Sequence, residues 1–144
     1  MEALKLIARI GGQQIAISAD LVESVVEIEA ITPVPLAAPH IAGLAALRSR
    51  VLTIIDTYAA LEIGRSPRDG QLQAIVVTID HHLYGLLVDE VVDVVAFTGE
   101  PDPLHAGLSR GWSNAAMGIV EHEGQALLQL DPARIVAGPM VLAA

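Results

Sequence analysis

The sequence has no cysteine, few cations and no long hydrophobic run, and each of these absences excludes a class of function. Without cysteine, the chain has no disulfide framework, no thiolate metal site and no cysteine nucleophile. Only eight lysines and arginines stand against 17 aspartates and glutamates, a formal net charge of −9. Since no basic face can form to neutralise phosphates, we expect no binding to nucleic acid.

The windows richest in apolar residues are Ile75–Ile79 and Leu83–Val88, and a polar turn separates them. A membrane-spanning helix needs about 18–20 consecutive apolar residues, so we expect no direct insertion into a membrane. Glu2, Lys5 and Arg9 interrupt the N-terminal segment and exclude the apolar core of a signal peptide. These features predict a soluble, cytoplasmic protein.

The composition is nonetheless apolar. Residues of the apolar types make up 53% of the 144 residues, charged residues make up 17%, and the mean hydropathy is +0.54. Such a chain is too apolar to be disordered, and its length fits one domain or two small halves that share a core. An apolar surface on an acidic protein is typical of one that binds other proteins.

An internal repeat organises the chain. Residues 6–28 align with residues 75–97 at an offset of 69, which superposes Asp20 on Asp89, Val22 on Val91 and Val25 on Val94. Later positions align at an offset of 75, including Gly43 with Gly118 and Asp56 with Asp131. The larger offset places about six extra residues in the second half, near residues 98–114. The chain is therefore interpreted as two copies of one module.

Each module is predicted to be built from β-hairpins. Alternating apolar residues on either side of short turns indicate two hairpins in each copy. The predicted strand pairs are Leu4–Ile10 with Gln14–Ser18, Leu44–Leu47 with Val51–Ile55, Ala74–Ile79 with Leu83–Val88, and Ile119–Glu121 with Ala126–Leu130. Four or five short strands per half predict a mainly β fold of two small barrels packed against each other.

The segments between the hairpins are less regular. Asp20–Val26 suits either one capped helical turn or a kinked strand. Three prolines predict that Ile31–His40 is an ordered loop. Asp56 and Asp131 are each expected to cap a short helical turn, and Trp112 is expected to anchor the extra segment of the second half on its barrel.

The sequence resembles the CheW-like domain family, the coupling module of bacterial chemotaxis arrays, from about Leu4 to Val136. The segments that carry the resemblance are Asp20–Val25, Ile31–Pro35, Ile41–Arg48, Val51–Asp56 and Leu83–Val91. The resemblance implies a single domain over residues 1–144, built from two tandem SH3-like five-stranded β-barrels packed side by side with short helical turns. We expect the first barrel at about 4–68 and the second at 72–136, with a C-terminal segment that can return to the first barrel.

The resemblance also implies a function without catalysis, cofactor or metal. The chain would be a non-enzymatic adaptor that couples chemoreceptors to a CheA-type histidine kinase. One barrel would bind the regulatory domain of that kinase. The cytoplasmic tip of a chemoreceptor would lie in the groove between the barrels. Such an adaptor would be cytoplasmic and recruited to membrane-associated receptor arrays.

Six residues are candidates for partner binding. Val22, Val25, Val91 and Val94 are the expected walls of the groove. Leu47 and Arg48 match the centre of the family's Asn-Leu-Arg-Gly turn, and Arg48 could tie the receptor tip to the groove or brace the two barrels. The sequence departs from the family's pattern at four positions, namely Ser24, Ala46, Ser49 and Thr53.

Two alternative functions rest on other residues. A small-ligand-binding or enzymatic duplicated β-barrel would need a deep pocket with convergent polar groups, and Asp56 with Asp131 could in principle form a shared-proton dyad. Neither aspartate is followed by the glycine turn that lets two such backbones approach, so capping is favoured. The five histidines could bind a metal, although the adjacent His81 and His82 would point to opposite faces of a strand.

Overall fold

The computed structural model describes residues 2–104 and 107–139, and its elements are mostly β-strands. The ten strands are β1 (Glu2–Ile10), β2 (Gln13–Ser18), β3 (Val22–Ile28), β4 (Ile41–Leu47), β5 (Arg50–Ile55), β6 (Leu72–Ile79), β7 (His82–Val88), β8 (Glu90–Thr98), β9 (Ala116–His122) and β10 (Gln125–Leu130). The three short helices are α1 (Thr57–Ala60), α2 (Arg110–Ala115) and α3 (Pro132–Ala137). The predicted hairpins are all present, and Ile31–His40 is an irregular loop.

The ambiguous segment after β2 contains both of the structures that its sequence allowed. Ala19–Leu21 forms a single 3-10 turn, and the extended strand β3 follows it directly. Asp20 lies in the 3-10 turn, but neither it nor Ser18 caps the turn with a side-chain hydrogen bond.

The strands form two five-stranded sheets with the same arrangement. We call them the β1 barrel, with strand order β8-β1-β2-β10-β9, and the β6 barrel, with order β3-β6-β7-β5-β4. In each barrel the first hairpin of one repeat pairs with the last three strands of the other repeat. The mainly β class and the pair of five-stranded barrels are confirmed.

The expected division into a first barrel at 4–68 and a second at 72–136 is wrong, because the two halves exchange their first hairpins. The cause is the length of the connections. Inside one barrel, β3 would run parallel to β2, so the chain would have to return about 20 Å to start it. The three residues Ala19–Leu21 span at most about 14 Å, and only Asp89 separates β7 from β8. Each hairpin therefore continues straight into the neighbouring barrel.

Each barrel is closed by an isolated β-bridge, and a glycine beside each bridge leaves room for the two backbone segments to approach. Thr32 pairs with Leu44 in the β6 barrel, and Asp102 pairs with Ile119 in the β1 barrel. Gly43 has a φ of 148°, and a side chain there would overlap the carbonyl oxygen of Thr32. A side chain at Gly118, its repeat equivalent, would similarly crowd the segment at Asp102. The repeated glycines thus let the chain approach the last hairpin of each copy.

Three apolar cores hold the molecule together. Two fill the interiors of the barrels, and the third and largest lies between them. The inter-barrel core is formed by the outward faces of the exchanged hairpins, together with side chains of the three helices. Its strand residues include Leu6, Ala8, Ile10, Ile15, Ile17, Ile75, Val77, Leu86 and Val88, each less than 9% exposed. Burial of this shared face stabilises the contact between the two barrels.

Two helical segments fix the ends of the repeats. Trp112 of α2 is half-buried against the inter-barrel core, as expected for an anchor of the extra segment. The Val136 carbonyl in α3 accepts a hydrogen bond from Nε2 of His40 at 2.8 Å, so this part of the C-terminal segment contacts the residue that precedes β4. Residues 140–144 lie outside the described residues.

Candidate partner-binding surface

The four candidate valines lie in equivalent pairs on the edge strands of the two barrels. Val22 and Val25 are on β3, whereas Val91 and Val94 are on β8. Val22 and Val91 are half-buried and pack against the margin of the inter-barrel core. They therefore contribute to stability as well as offering an apolar rim.

The second valine of each pair faces solvent. Val25 is 38% exposed and Val94 is 49% exposed. Val25 lies opposite Ile75, and Val94 lies opposite Leu6, and both partners are buried in the inter-barrel core. Because directly paired residues in a sheet share a face, these two valines extend the inter-barrel core to the surface.

The other two candidates lie at the turn between β4 and β5. Leu47 is half-buried against the interior of the β6 barrel, and Arg48 is exposed with a φ of 59°. Both line a surface groove of about 540 Å³ that also contains Glu27, Glu29 and Leu44. Arg48 lies in the turn between β4 and β5, at one end of the β6 barrel.

An ion pair connects this turn to the valines of β3. Arg50 contacts Glu23 at 2.6 Å, and the Thr78 hydroxyl donates a hydrogen bond to the same carboxylate at 2.9 Å. The hydrogen bond from Arg50 is the main cause that lowers the pKa of Glu23. Glu23 lies between Val22 and Val25, so four of the six candidates are near one another on the β6 barrel, while Val91 and Val94 lie on the other barrel.

The four departures from the family's pattern lie on or beside strands of the β6 barrel. Ser24, Ala46 and Ser49 are exposed, and Thr53 is half-buried opposite Leu44. Glu23, one position before Ser24, supplies the acid that contacts the turn. Sequence reasoning did not find the ion pair of Glu23 with Arg50, because the alternation of β3 shows that Glu23 is exposed but not which cation it contacts.

The two aspartates of the proposed dyad serve separate helices. Asp56 accepts a hydrogen bond from the Ala59 amide at 3.1 Å, and Asp131 accepts one from the Ala133 amide at 3.0 Å, so both caps are confirmed. The buried Asp56 is also bound by Ser66 and by Arg68. Asp131 is 3.5 Å from Nε of its own neighbour Arg134. Each carboxylate is thus hydrogen-bonded by residues near it in the chain, an arrangement that favours capping over shared-proton chemistry.

The histidines are dispersed. Nδ1 of His82 donates a hydrogen bond to the Asp80 carbonyl in its own turn, and His40 contacts Val136. The rings of His122 and Phe97 are 5.8 Å apart. His105 lies outside the described residues. Within residues 2–104 and 107–139, no group of three or more histidines and carboxylates is placed to hold a metal ion.

A cavity of about 290 Å³ lies beside α1. Tyr58 and Asp89 line it, and their side chains bond each other at 2.7 Å. That hydrogen bond is the main cause that raises the pKa of Tyr58. Asp89 also accepts a hydrogen bond from the Gly12 amide at 3.1 Å. The hydrogen bonds among Gly12, Asp89 and Tyr58 hold the β1–β2 turn against α1, so the polar groups of Asp89 and Tyr58 bond each other and not a ligand.

One buried polar pair was not anticipated from the sequence. Lys5, 4% exposed, donates a hydrogen bond to Gln129 at 2.5 Å inside the β1 barrel and lies 5.5 Å from the centre of the Phe97 ring. Burial lowers the pKa of Lys5, and Glu100 partly opposes that change. The equivalent positions of the β6 barrel hold Ala74 and Ile54. The sequence signal for this buried pair was Lys5, a single lysine in the apolar pattern of β1.

Comparison with known proteins identifies the family. The model of the CheW-like domain matches residues 5–139, which is nearly the whole chain. The chain belongs to the CheW-like domain family. Among the described residues, no helix is long and apolar enough to cross a membrane.

Individual CheW proteins are similar over most of their length. A chemotaxis protein CheW from Thermotoga maritima is 28% identical over 125 residues, covering 86% of this chain and 81% of that protein. A chemotaxis protein CheW from Rhizobium meliloti is 29% identical over 129 residues, covering 85% of this chain and 81% of that protein. The crystal structure of the scaffolding protein TtCheW from Thermoanaerobacter tengcongensis has a TM-score of 0.78 at 22% identity, over 91% of this chain and 90% of that one. This last similarity shows that the CheW fold is shared.

Proposed function

We propose that the chain is a non-enzymatic chemotaxis adaptor that couples chemoreceptors to a CheA-type histidine kinase. The observation that carries the proposal is the family match over residues 5–139, together with relatives that are named chemotaxis protein CheW. The geometry agrees, because exposed aliphatic side chains lie on the edge strands β3 and β8. Such surfaces bind by releasing water and need no catalytic group.

Each partner is assigned to a different part of the molecule. The tip of the receptor, a helical hairpin, would pack against the valines of β3 and β8, with Arg48 at the end of that surface. The regulatory domain of the kinase would bind one barrel. Each of these contacts is expected to have moderate affinity, and a receptor array increases the overall affinity by multivalency. Such an adaptor acts in the cytoplasm, at the inner face of the membrane.

Titration of the chain with the isolated kinase regulatory domain and, separately, with a receptor-tip peptide tests this assignment. We expect both to bind with a Kd below about 100 μM. Absence of binding to either one at that concentration would contradict the proposal. Calorimetry or fluorescence anisotropy provides the measurement.

The variant Arg48→Glu tests the role of the β4–β5 turn. We expect its unfolding free energy to change by about 0.5 kcal/mol or less, since Arg48 is exposed in a turn. Affinity for the receptor tip should fall at least about tenfold, because the guanidinium donors are replaced by a carboxylate. Arg65→Glu makes the same charge change at another exposed position and serves as the control. Equal affinity of the two variants for the receptor tip would show that Arg48 is not part of the receptor-binding surface.

A further inference from the structure

One methionine of the β1 barrel lies at the surface beside a buried polar pair. Met117 of β9 is 47% exposed. The register between β9 and β10 passes from Gln129 opposite Gly118 to Leu130 opposite Ala116. Met117 therefore has no opposite residue and is the extra residue of a bulge. Nε2 of Gln129, a residue only 5% exposed, donates a hydrogen bond to Sδ of Met117 at 3.8 Å.

The other end of the same amide fixes its orientation. Oε1 of Gln129 accepts a hydrogen bond from Nζ of Lys5 at 2.5 Å. Because a lysine ammonium has donors and no acceptor, the amide oxygen must face Lys5 and the amide nitrogen must face Met117. Among residues 2–104 and 107–139, no protein oxygen accepts a hydrogen bond from that nitrogen. A thioether sulfur is a weak acceptor, so a buried donor is left incompletely satisfied.

The fold itself does not require this polar arrangement, as the other copy of the repeat shows. The positions of the β6 barrel that are equivalent to Lys5, Gln129 and Met117 are all apolar and buried, namely Ala74, Ile54 and Ala42. Ala42 is likewise the extra residue of a bulge in β4. Since the β6 barrel forms the same geometry with apolar side chains, the polar chain from Lys5 to Met117 is particular to one site.

We propose that Met117 is a site of oxidation to methionine sulfoxide, and that the new oxygen accepts the hydrogen bond from the Gln129 amide. The oxidant is a hydroperoxide, and hydrogen peroxide is the simplest. The sulfur lone pair attacks one peroxide oxygen, and the O–O bond breaks as the S–O bond forms. The proton on the transferred oxygen passes to the departing hydroxide, which leaves as water. Sulfur is thereby oxidised by two electrons and the peroxide is reduced by two.

The expected effect on stability has an unusual sign. Oxidation of a methionine inside an apolar core places a polar group there and destabilises the protein. Met117 is instead exposed, and its three rotatable side-chain bonds allow the sulfoxide oxygen to turn toward Nε2 of Gln129. An incompletely satisfied buried donor then gains an oxygen acceptor, so oxidation stabilises the end of the β1 barrel at β9 and β10.

Treatment of the purified chain with hydrogen peroxide tests the proposal. Peptide mass spectrometry should locate the added oxygen at Met117. We expect the oxidised chain to unfold at a higher urea concentration than the untreated chain. The side-chain amide protons of Gln129 should shift downfield in an NMR spectrum, because they then donate to oxygen. Methionine sulfoxide reductases should restore both values, since the modification is reversible.

Two variants isolate the contact between Met117 and Gln129. Met117→Leu keeps an apolar side chain without sulfur, so peroxide should leave its urea midpoint unchanged. This variant also measures any contribution of Met1 and Met140. Gln129→Glu keeps an oxygen acceptor for Lys5 but has no amide donor. Oxidation should therefore lower the urea midpoint of Gln129→Glu, because the sulfoxide oxygen then faces a carboxylate.

The outcomes that would overturn the proposal are distinct. An unmodified Met117, or an oxidised wild type whose urea midpoint is equal to or lower than that of the untreated chain, would each do so. The same holds for a peroxide-induced rise of the midpoint in either variant. If Gln129→Glu does not fold, an unmoved Gln129 amide resonance in oxidised wild type would still refute the contact. The test involves neither receptor nor kinase, so its failure would leave the proposed adaptor function untouched.

Discussion

Asp56 shows how one residue combines a predictable role with one that depends on the fold. Its position after a strand and before a helical turn predicts a cap, and the structure confirms it. The structure adds that the carboxylate is 1% exposed and bound by Ser66 and Arg68, which return from ten and twelve residues along the chain. Burial alone would raise the pKa of Asp56, but the hydrogen bonds from Ser66, Ala59 and Arg68 outweigh it and hold the pKa below its usual value.

This network makes Asp56 a source of pH-dependent stability. A carboxyl whose pKa is lower in the folded state contributes stability above its unfolded pKa of about 3.9, and that stability is lost as the pH falls through the folded value. We expect Asp56→Asn to lower the unfolding free energy at pH 7 by about 3 kcal/mol, because Arg68 loses its buried partner. Urea denaturation at pH 7 and at pH 3.5 measures both quantities.

The same experiment contains its own control. Wild type should lose more stability than Asp56→Asn between the two pH values, since the variant has no carboxyl to protonate there. Asp131→Asn, at the equivalent and more exposed cap, should have the smaller effect at pH 7. Parallel pH dependence in wild type and Asp56→Asn would mean that other carboxylates control acid unfolding.

At the scale of elements, the hairpins could be predicted from sequence, but their partners could not. Alternating residues and turn signals located the four hairpins, since side-chain period and turn chemistry are local properties. The exchange of β1–β2 and β6–β7 between barrels is a non-local property. It depends on the short connections Ala19–Leu21 and Asp89, whose reach decides which barrel the next strand can enter.

Cysteine cross-linking tests the exchange in a chain that has no cysteine of its own. Arg9 lies opposite Glu90 in the β1–β8 pair, whereas a contiguous first barrel would place Arg9 opposite Leu21, since 90 − 69 = 21. We expect Arg9→Cys with Glu90→Cys to oxidise readily and to raise the unfolding free energy by about 3 kcal/mol. Mass spectrometry and denaturation provide the readout. A disulfide that forms instead in the Arg9→Cys and Leu21→Cys variant would contradict the exchange.

At the scale of the whole molecule, two equivalent barrels share a core that neither could complete alone. The repeat predicted this architecture, and the resemblance predicted the six candidate residues. The grouping of four of them on the β6 barrel required the structure, because the contact of Arg50 with Glu23 lies between the β4–β5 turn and β3. A groove around Trp112 could not be predicted either, since its lining comes from four separate segments of the chain. The pseudo-symmetry of the fold is broken at its surface.

The central claim is that this chain transmits a receptor's state to a kinase, and reconstitution measures it most directly. Membranes containing a chemoreceptor, a CheA-type kinase and increasing amounts of the chain would be assayed for kinase autophosphorylation with and without the receptor's ligand. We expect kinase activity to respond to the ligand only when the chain is present, and Arg48→Glu to abolish that response while Arg65→Glu preserves it. Kinase autophosphorylation that is the same with and without the receptor's ligand, at saturating concentrations of the wild-type chain, would contradict the account.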